Sequence, residues 1–291
     1  MKAIRSYFKG LSIAFRSLRM VTWIYLFLFV VAVITTIPFI RLVNDMTGNS
    51  LLPDRLINGF DATALHDMLK TGGKSLLFYL KGWWPLVAGF MLIQIWFNGG
   101  ILYRVSNPNG PFKIAAFLRS AHNHFWRFLK LAVALWAIYL LLALLIFLPA
   151  MLLISLKESP TDQWIVHIVL FSFVIYLILV LLLNISGDIA KITLFNDSKT
   201  KVVKYLWRSI KFMISRFFSL ILLDLMLLVL PVLVLIGYYL LKKDVITDTT
   251  GLILLFFVIQ QMLIWLKSFF RIWRLGSLFS YYIRNLIVSN S

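Results

Sequence analysis

Six stretches of about twenty residues carry almost no charge, and a chain that contains them has few folds open to it. The uncharged runs are Met20 to Ile40, Gly82 to Tyr103, Leu131 to Leu156, Gln163 to Gly187 and Thr249 to Leu266. A further run, Phe217 to Leu241, is interrupted once, by Asp224. Strands in globular proteins are usually about 3–10 residues long, whereas a helix that crosses a bilayer needs roughly 20 apolar residues. Helices that are apolar all round are either membrane spans or the centre of a large protein. With 61% hydrophobic and only 14% charged side chains in 291 residues, no polar shell remains to enclose six such helices. The expected fold is therefore all-α, a polytopic membrane protein with six transmembrane helices.

The first run is 21 residues long. That exceeds the roughly 7–15 apolar residues of a cleavable signal peptide, and no small-residue cleavage site follows, so it reads as an anchor that stays. No cysteine is present, which removes disulfides, thiolate metal sites and cysteine nucleophiles together.

The formal charge is +18. In a soluble chain that would suggest nucleic acid, but there is too little polar sequence here for a basic groove outside the membrane. Sorting Lys and Arg by loop gives a different meaning. One side holds the cations around Lys2 to Arg19, Arg104 to Lys130, Lys191 to Arg216 and Lys267 to Arg284, 21 of the 29. The opposite side holds eight, matched by eight acids. By the positive-inside rule both termini are cytoplasmic, with all three hairpin tips facing outward.

An offset of 89 residues aligns Arg119-Ser120 with Arg208-Ser209, Arg127-Phe128 with Arg216-Phe217, and Asn107 with Asn196 and Asn285. These pairs coincide with a recurring order of basic segment, span, outer tip and span. The reading is one transmembrane domain, 1–291, of three hairpin repeats at 1–107, 108–196 and 197–291. Each repeat opens on a basic amphipathic helix. Lys2, Arg5, Lys9, Ser12, Arg16 and Arg19 recur at intervals of three and four opposite Ile4, Phe8, Leu11, Phe15 and Leu18. Lys201, Lys204, Arg208 and Lys211 do so opposite Val203, Leu206, Ile210, Met213 and Ile214. The middle copy, with Lys113, Arg119 and Arg127, sets them against Ile114, Phe117, Ala121, Phe125 and Phe128. Such helices lie at the interface with their cations among anionic headgroups. They hold the spans at depth or, on the other reading, sense lipid.

The first outer tip is the longest, and Asp61 to Leu69 followed by Gly72-Gly73 predicts a short outer helix at about 61–71 with a glycine stop. Pro38, Pro149 and Pro231 fall in the outer halves of the odd spans, where each either kinks or ends its helix.

Ionisable groups inside lipid are costly and are functional candidates by default. Asp224 lies eight residues into its span, about 12 Å along the axis at 1.5 Å per residue, deep enough to need a partner. Asn184, Asp188 and Lys191 share one face of span four; Gln260, Lys267, Arg271 and Arg274 share one face of span six; Gln94 and Asn98 form a smaller face in span two. Two readings stand. These residues line a cation-rich polar cavity open to the cytoplasm and suited to an anionic headgroup or solute. Alternatively, Asp188 and Asp224 pair with Lys267 or Arg271 as a staple between helices, while Lys191 and Arg274 snorkel.

Enzyme motifs are missing: there is no G-x-S-x-G, H-E-x-x-H or P-loop. His122 and His124, two residues apart on a helix, point away from each other, and His66 and His167 are isolated. Asp188-Ile189-Ala190-Lys191 resembles the start of the acidic motif of CDP-alcohol phosphotransferases, but the two downstream aspartates are missing, which rejects the match. No cofactor or metal is expected.

Three motifs carry a family likeness: Leu52-Pro53-Asp54-Arg55-Leu56-Ile57-Asn58-Gly59-Phe60-Asp61, Asn98-Gly99-Gly100-Ile101-Leu102, and His124-Phe125-Trp126-Arg127-Phe128-Leu129. With them the chain resembles a family of uncharacterised bacterial six-span integral membrane proteins, a domain of unknown function. Its hairpin plan is also similar to the membrane domain of some glycerophosphodiester phosphodiesterases, without their catalytic barrel. The resemblance implies no established activity. The expectation is a non-enzymatic inner-membrane protein, an envelope scaffold or partner subunit, whose partners are membrane lipids and a membrane protein and not nucleic acid. The alternative is a transporter or lipid-handling protein that uses the polar cavity.

Overall fold

The computed structural model describes residues 2–47, 62–156, 161–197, 202–243, 245 and 249–289. Among them the chain is all α: α1 (Lys2–Arg16), α2 (Leu18–Thr47), α3 (Ala62–Ser106), α4 (Ile114–Ser155), α5 (Asp162–Asn196), α6 (Val202–Ser215), α7 (Phe217–Lys243) and α8 (Thr250–Ser289). Six of these, α2, α3, α4, α5, α7 and α8, contain segments long and apolar enough to cross a membrane. The chain is a polytopic membrane protein. The first-loop motif Leu52 to Asp61 lies outside the described residues.

Several local expectations are corrected. No separate helix occupies 61–71: Ala62–Ser106 is continuous through Gly72, Gly73 and Pro85. A helical glycine costs only about 1 kcal/mol relative to alanine, and extending a helix already nucleated on both sides adds a hydrogen bond for each residue fixed. Pro38, Pro149 and Pro231 do not end their helices either, since α2, α4 and α7 run on past them. The basic segment of the middle copy is not a separate helix but the first turns of α4. At the other two copies a single non-helical residue, Ser17 or Arg216, divides the basic helix from its span. Each break residue is hydrogen-bonded on both sides: Ser17 N–H donates to Ala14 O and Ser17 O accepts from Val21 N–H, while Arg216 N–H donates to Phe212 O and Arg216 O accepts from Leu220 N–H.

The described residues form two units. Thr22–Gln94 comprises most of α2 and the first part of α3; within it Trp23 stacks on Phe27 and Tyr25 on Phe29, one turn apart. Met1–Val21 with Ile95–Ser291 forms the other unit, and it contains every interaction described below. In it α1 runs antiparallel to the end of α8. Lys2 donates to Asn285 Oδ1, Tyr7 packs on Trp273 with ring centroids 4.8 Å apart, and Phe15 meets Phe269. The buried face of α1 consists of small residues, Ala3, Ser6, Gly10 and Ala14, with Ile13, whereas Ile4, Phe8 and Phe15 are exposed. Small residues at a helix contact let backbones approach closely. Here Gly10 lies against the backbone of Ser277.

α4 and α5 form an antiparallel pair. Leu131, Leu135, Leu183 and Ala190 make its buried seam, α6 adds Leu206, and Phe147 meets Tyr176 further along. The last turns of α3 pack on the start of α4 through Gly99 and Gly100, where an added Cβ would meet Ser120 O and the Phe117 ring. That close approach gives the Asn98-Gly99-Gly100 motif a packing role.

Candidate functional site

Asp188 is on α5, Asp224 near the start of α7, and Arg274 on α8. The antiparallel run of α7 and α8 brings residues 224 and 274 level at the end of the pair that carries the start of α7. Arg274 uses this position to bridge both acids. Its Nε donates to Asp224 Oδ1 at 2.9 Å, and its Nη1 lies 3.1 Å from Asp188 Oδ2. Lys191, one turn from Asp188, donates to the other carboxylate oxygen at 2.8 Å. Both acids are more than nine-tenths buried, while the two cations keep about a quarter to a third of their side chains exposed. Two negative and two positive charges thus tie three helices together, with the acids inside and the cations towards the rim.

The other predicted residues are spread along the same helices. Arg271 donates to Asn98 Oδ1 at 2.8 Å, joining α8 to the last turns of α3. Asn184 accepts from the Tyr139 hydroxyl at 2.8 Å, joining α5 to α4. Gln260 donates to the Tyr238 hydroxyl at 2.9 Å, further along the α7–α8 pair. Gln94 is half-buried and belongs to the Thr22–Gln94 unit. Lys267 is exposed, and no carboxylate among the described residues meets it.

The pairing within the expected staple is therefore corrected. Arg274 and Lys191, expected to snorkel, hold the carboxylates; Lys267 does not, and Arg271 contributes its charge near Asp188 while its hydrogen bond goes to Asn98. No protein-family model matches the chain, and neither the curated proteins nor the solved structures compared with it give a match.

Sequence reasoning missed Tyr139 and Tyr238, whose hydroxyls meet the polar residues of α5 and α8. A tyrosine in the middle of a span is a usable signal, because its buried hydroxyl needs a partner. It also missed the role of Arg104, counted above only as a topology charge. This side chain is buried at the end of α3, donating to Ser17 Oγ, to the carbonyls of Arg16 and Asn107, and closely to the carbonyl of Gly110. Among the described residues no three His, Asp or Glu side chains lie together as a metal site would require. His124 instead faces Ser120 O and packs at a tilt on Phe195.

Proposed function

We propose that this chain is a non-enzymatic integral protein of a bacterial inner membrane, an envelope scaffold or partner subunit that works through its helix surfaces. The observation that carries the reading is the Asp188–Lys191–Asp224–Arg274 cluster. Its deepest ionisable groups neutralise one another and hold α5, α7 and α8 together, which is what a structural staple does. The six-span layout is in keeping with the resemblance to uncharacterised bacterial six-span proteins, and no cofactor is invoked.

The same reading includes three hairpin repeats, each opened by a basic amphipathic helix at the cytoplasmic interface. It is supported by the single-residue breaks after α1 and α6. The exposure of Ile4, Phe8 and Phe15 on α1, and of Val203, Trp207 and Ile214 on α6, also favours it. These side chains would enter the acyl boundary with the cations at anionic headgroups. Because the chain has no cysteine, its orientation is open to single-cysteine labelling. A membrane-impermeant maleimide should label Asp162→Cys on intact spheroplasts and Asn196→Cys only after lysis. The reverse pattern would place the termini outside.

A second reading, a transporter or lipid-handling protein, draws on the partial exposure of Lys191 and Arg274 at the rim of the cluster. Purified protein in liposomes distinguishes the two. Three probes apply: proton flux under an imposed potassium potential, uptake of inorganic phosphate, and dithionite bleaching of a fluorescent phospholipid. The scaffold reading predicts rates equal to empty liposomes for all three. Activity with any probe that disappears in Asp224→Asn would replace it with the second reading.

A further inference from the structure

A second polar site lies apart from the acid–base cluster, where α3 ends and α4 begins. A cavity of about 200 Å³ is lined there by Tyr103, Arg104, Asn107, Gly110, Phe112 and Lys113, among others. Its charge is entirely positive. Arg104 is 7% exposed and its partners are all neutral: one serine hydroxyl and three backbone carbonyls. None of the three ion pairs among the described residues includes Arg104 or Lys113. An arginine does not shed its proton in a protein, so this buried charge is held by dipoles alone.

The neighbourhood adds to that field. Lys113 is the residue before α4 and is exposed; its carbonyl accepts from Phe117 N–H, but its ammonium makes no hydrogen bond among the described residues. The first turn of α4 has no acidic residue and no side-chain cap, leaving its first N–H groups open to an anion. Arg16, whose carbonyl accepts from Arg104, brings a third cation and donates closely to Asn109. Phe112 and Phe117, with ring centroids 6.0 Å apart, add apolar surface to the lining. Arg104 also lies at the end of the candidate span Trp83–Ser106, at the depth of a lipid headgroup.

We propose that this cavity binds a phosphate-bearing anion, with Lys113 and the start of α4 meeting the phosphate and Arg104 supplying the fixed charge behind it. An anionic phospholipid and a soluble phosphate share this chemistry. The aromatic surface favours the lipid, whose glycerol and first methylenes would lie against it. The site is independent of the Asp188 cluster, so it stands whether the protein is a scaffold or a transporter.

The test uses the full chain, delipidated in a neutral detergent, with binding read by native mass spectrometry and by thermal shift. The probes are phosphatidylglycerol, diacylglycerol with the same chains, and inorganic phosphate at constant ionic strength. A one-to-one phosphatidylglycerol adduct is expected, without one for diacylglycerol. Lys113→Gln should weaken it about fivefold, the effect of losing one cation beside an anionic headgroup, and Arg104→Gln should weaken it more. Should Arg104→Gln fail to fold, Lys113→Gln still decides, because its side chain has no structural contact to lose. Lys242→Gln and Lys243→Gln, exposed cations in the last turn of α7, should leave the adduct unchanged. Binding of inorganic phosphate with the same dependence on Lys113 would make the phosphate itself the recognised group. The proposal is overturned if diacylglycerol binds equally, if neither phosphate probe binds, or if Lys113→Gln leaves binding unchanged.

Discussion

Arg274→Met should be the most damaging charge substitution in the protein, and removing the acids it serves should reverse most of the damage. The arginine contacts two carboxylates that are each more than nine-tenths buried. Its loss leaves Asp224 outside every ion pair among the described residues and Asp188 with its ion pair to Lys191 and the more distant charge of Arg271. Breaking a buried pair from one side costs about 3–5 kcal/mol, because the remaining charge is buried without compensation. Arg274 keeps about a third of its side chain exposed, and solvent screens that part, so the low end, about 3 kcal/mol, is expected. Thermal unfolding in detergent, followed by the fluorescence of the ten tryptophans, should show the midpoint falling by several degrees. Adding Asp188→Asn and Asp224→Asn to the Arg274→Met chain should recover most of the loss, since amides carry no charge to strand. An Arg274→Met protein as stable as the parent, or one that the two asparagines fail to rescue, would remove the staple and with it the main support for the scaffold reading.

Gly10→Ala should destabilise the protein far more than Gly276→Ala, although both glycines lie at the same helix contact. A Cβ on Gly10 would stand 2.5 Å from the Ser277 backbone nitrogen and 2.7 Å from its Cα. Backbone cannot swing aside, so α1 must lift from α8. A Cβ on Gly276 would find its nearest atoms at 3.4 Å, a tight contact that a small adjustment relieves. Overpacking a tight contact costs about 1–3 kcal/mol, and the backbone collision puts Gly10→Ala at the upper end. Gly276→Ala should stay within about 1 kcal/mol of the parent, because alanine's better helix propensity offsets the crowding. Lifting α1 would also free the helix to unwind into a protease, so trypsin, cutting after Lys9 or Arg16, should cleave within α1 in Gly10→Ala and spare it in Gly276→Ala. Equal behaviour of the two variants would mean that α1 is not held by this contact.

The Gly10 contact also shows what hydropathy reads in this sequence and what it passes over. Hydropathy drew attention to Ile4, Phe8 and Phe15, which are large and apolar but exposed. The side of α1 that packs is the spaced series Ser6, Gly10 and Ala14. Its signal was present as small residues at intervals of four, yet a hydropathy scale gives small residues little weight. The helix at about 61–71 failed for the opposite reason. A glycine pair was taken as a stop, but glycine only lowers the propensity for helix, and the flanking turns carried α3 through it.

By itself the sequence determined the solvent, the number of spans and the residues that had to find partners. Those properties follow from composition and spacing: twenty apolar residues in a row have no other stable home, and an acid eight residues into such a run must be neutralised. Only the tertiary structure decided which cation does it. Lys267, Arg271 and Arg274 lie on neighbouring faces of α8 within two turns, so their spacing serves each almost equally well. The choice depends on the height and rotation of α8 against α5 and α7, and α1 docks along that same part of α8. Those are two rigid-body quantities that no single helix encodes. The contact of Gly10 with Ser277 and the pairing of α7 with α8 fix them together, leaving Arg274 between the two carboxylates and Lys267 exposed.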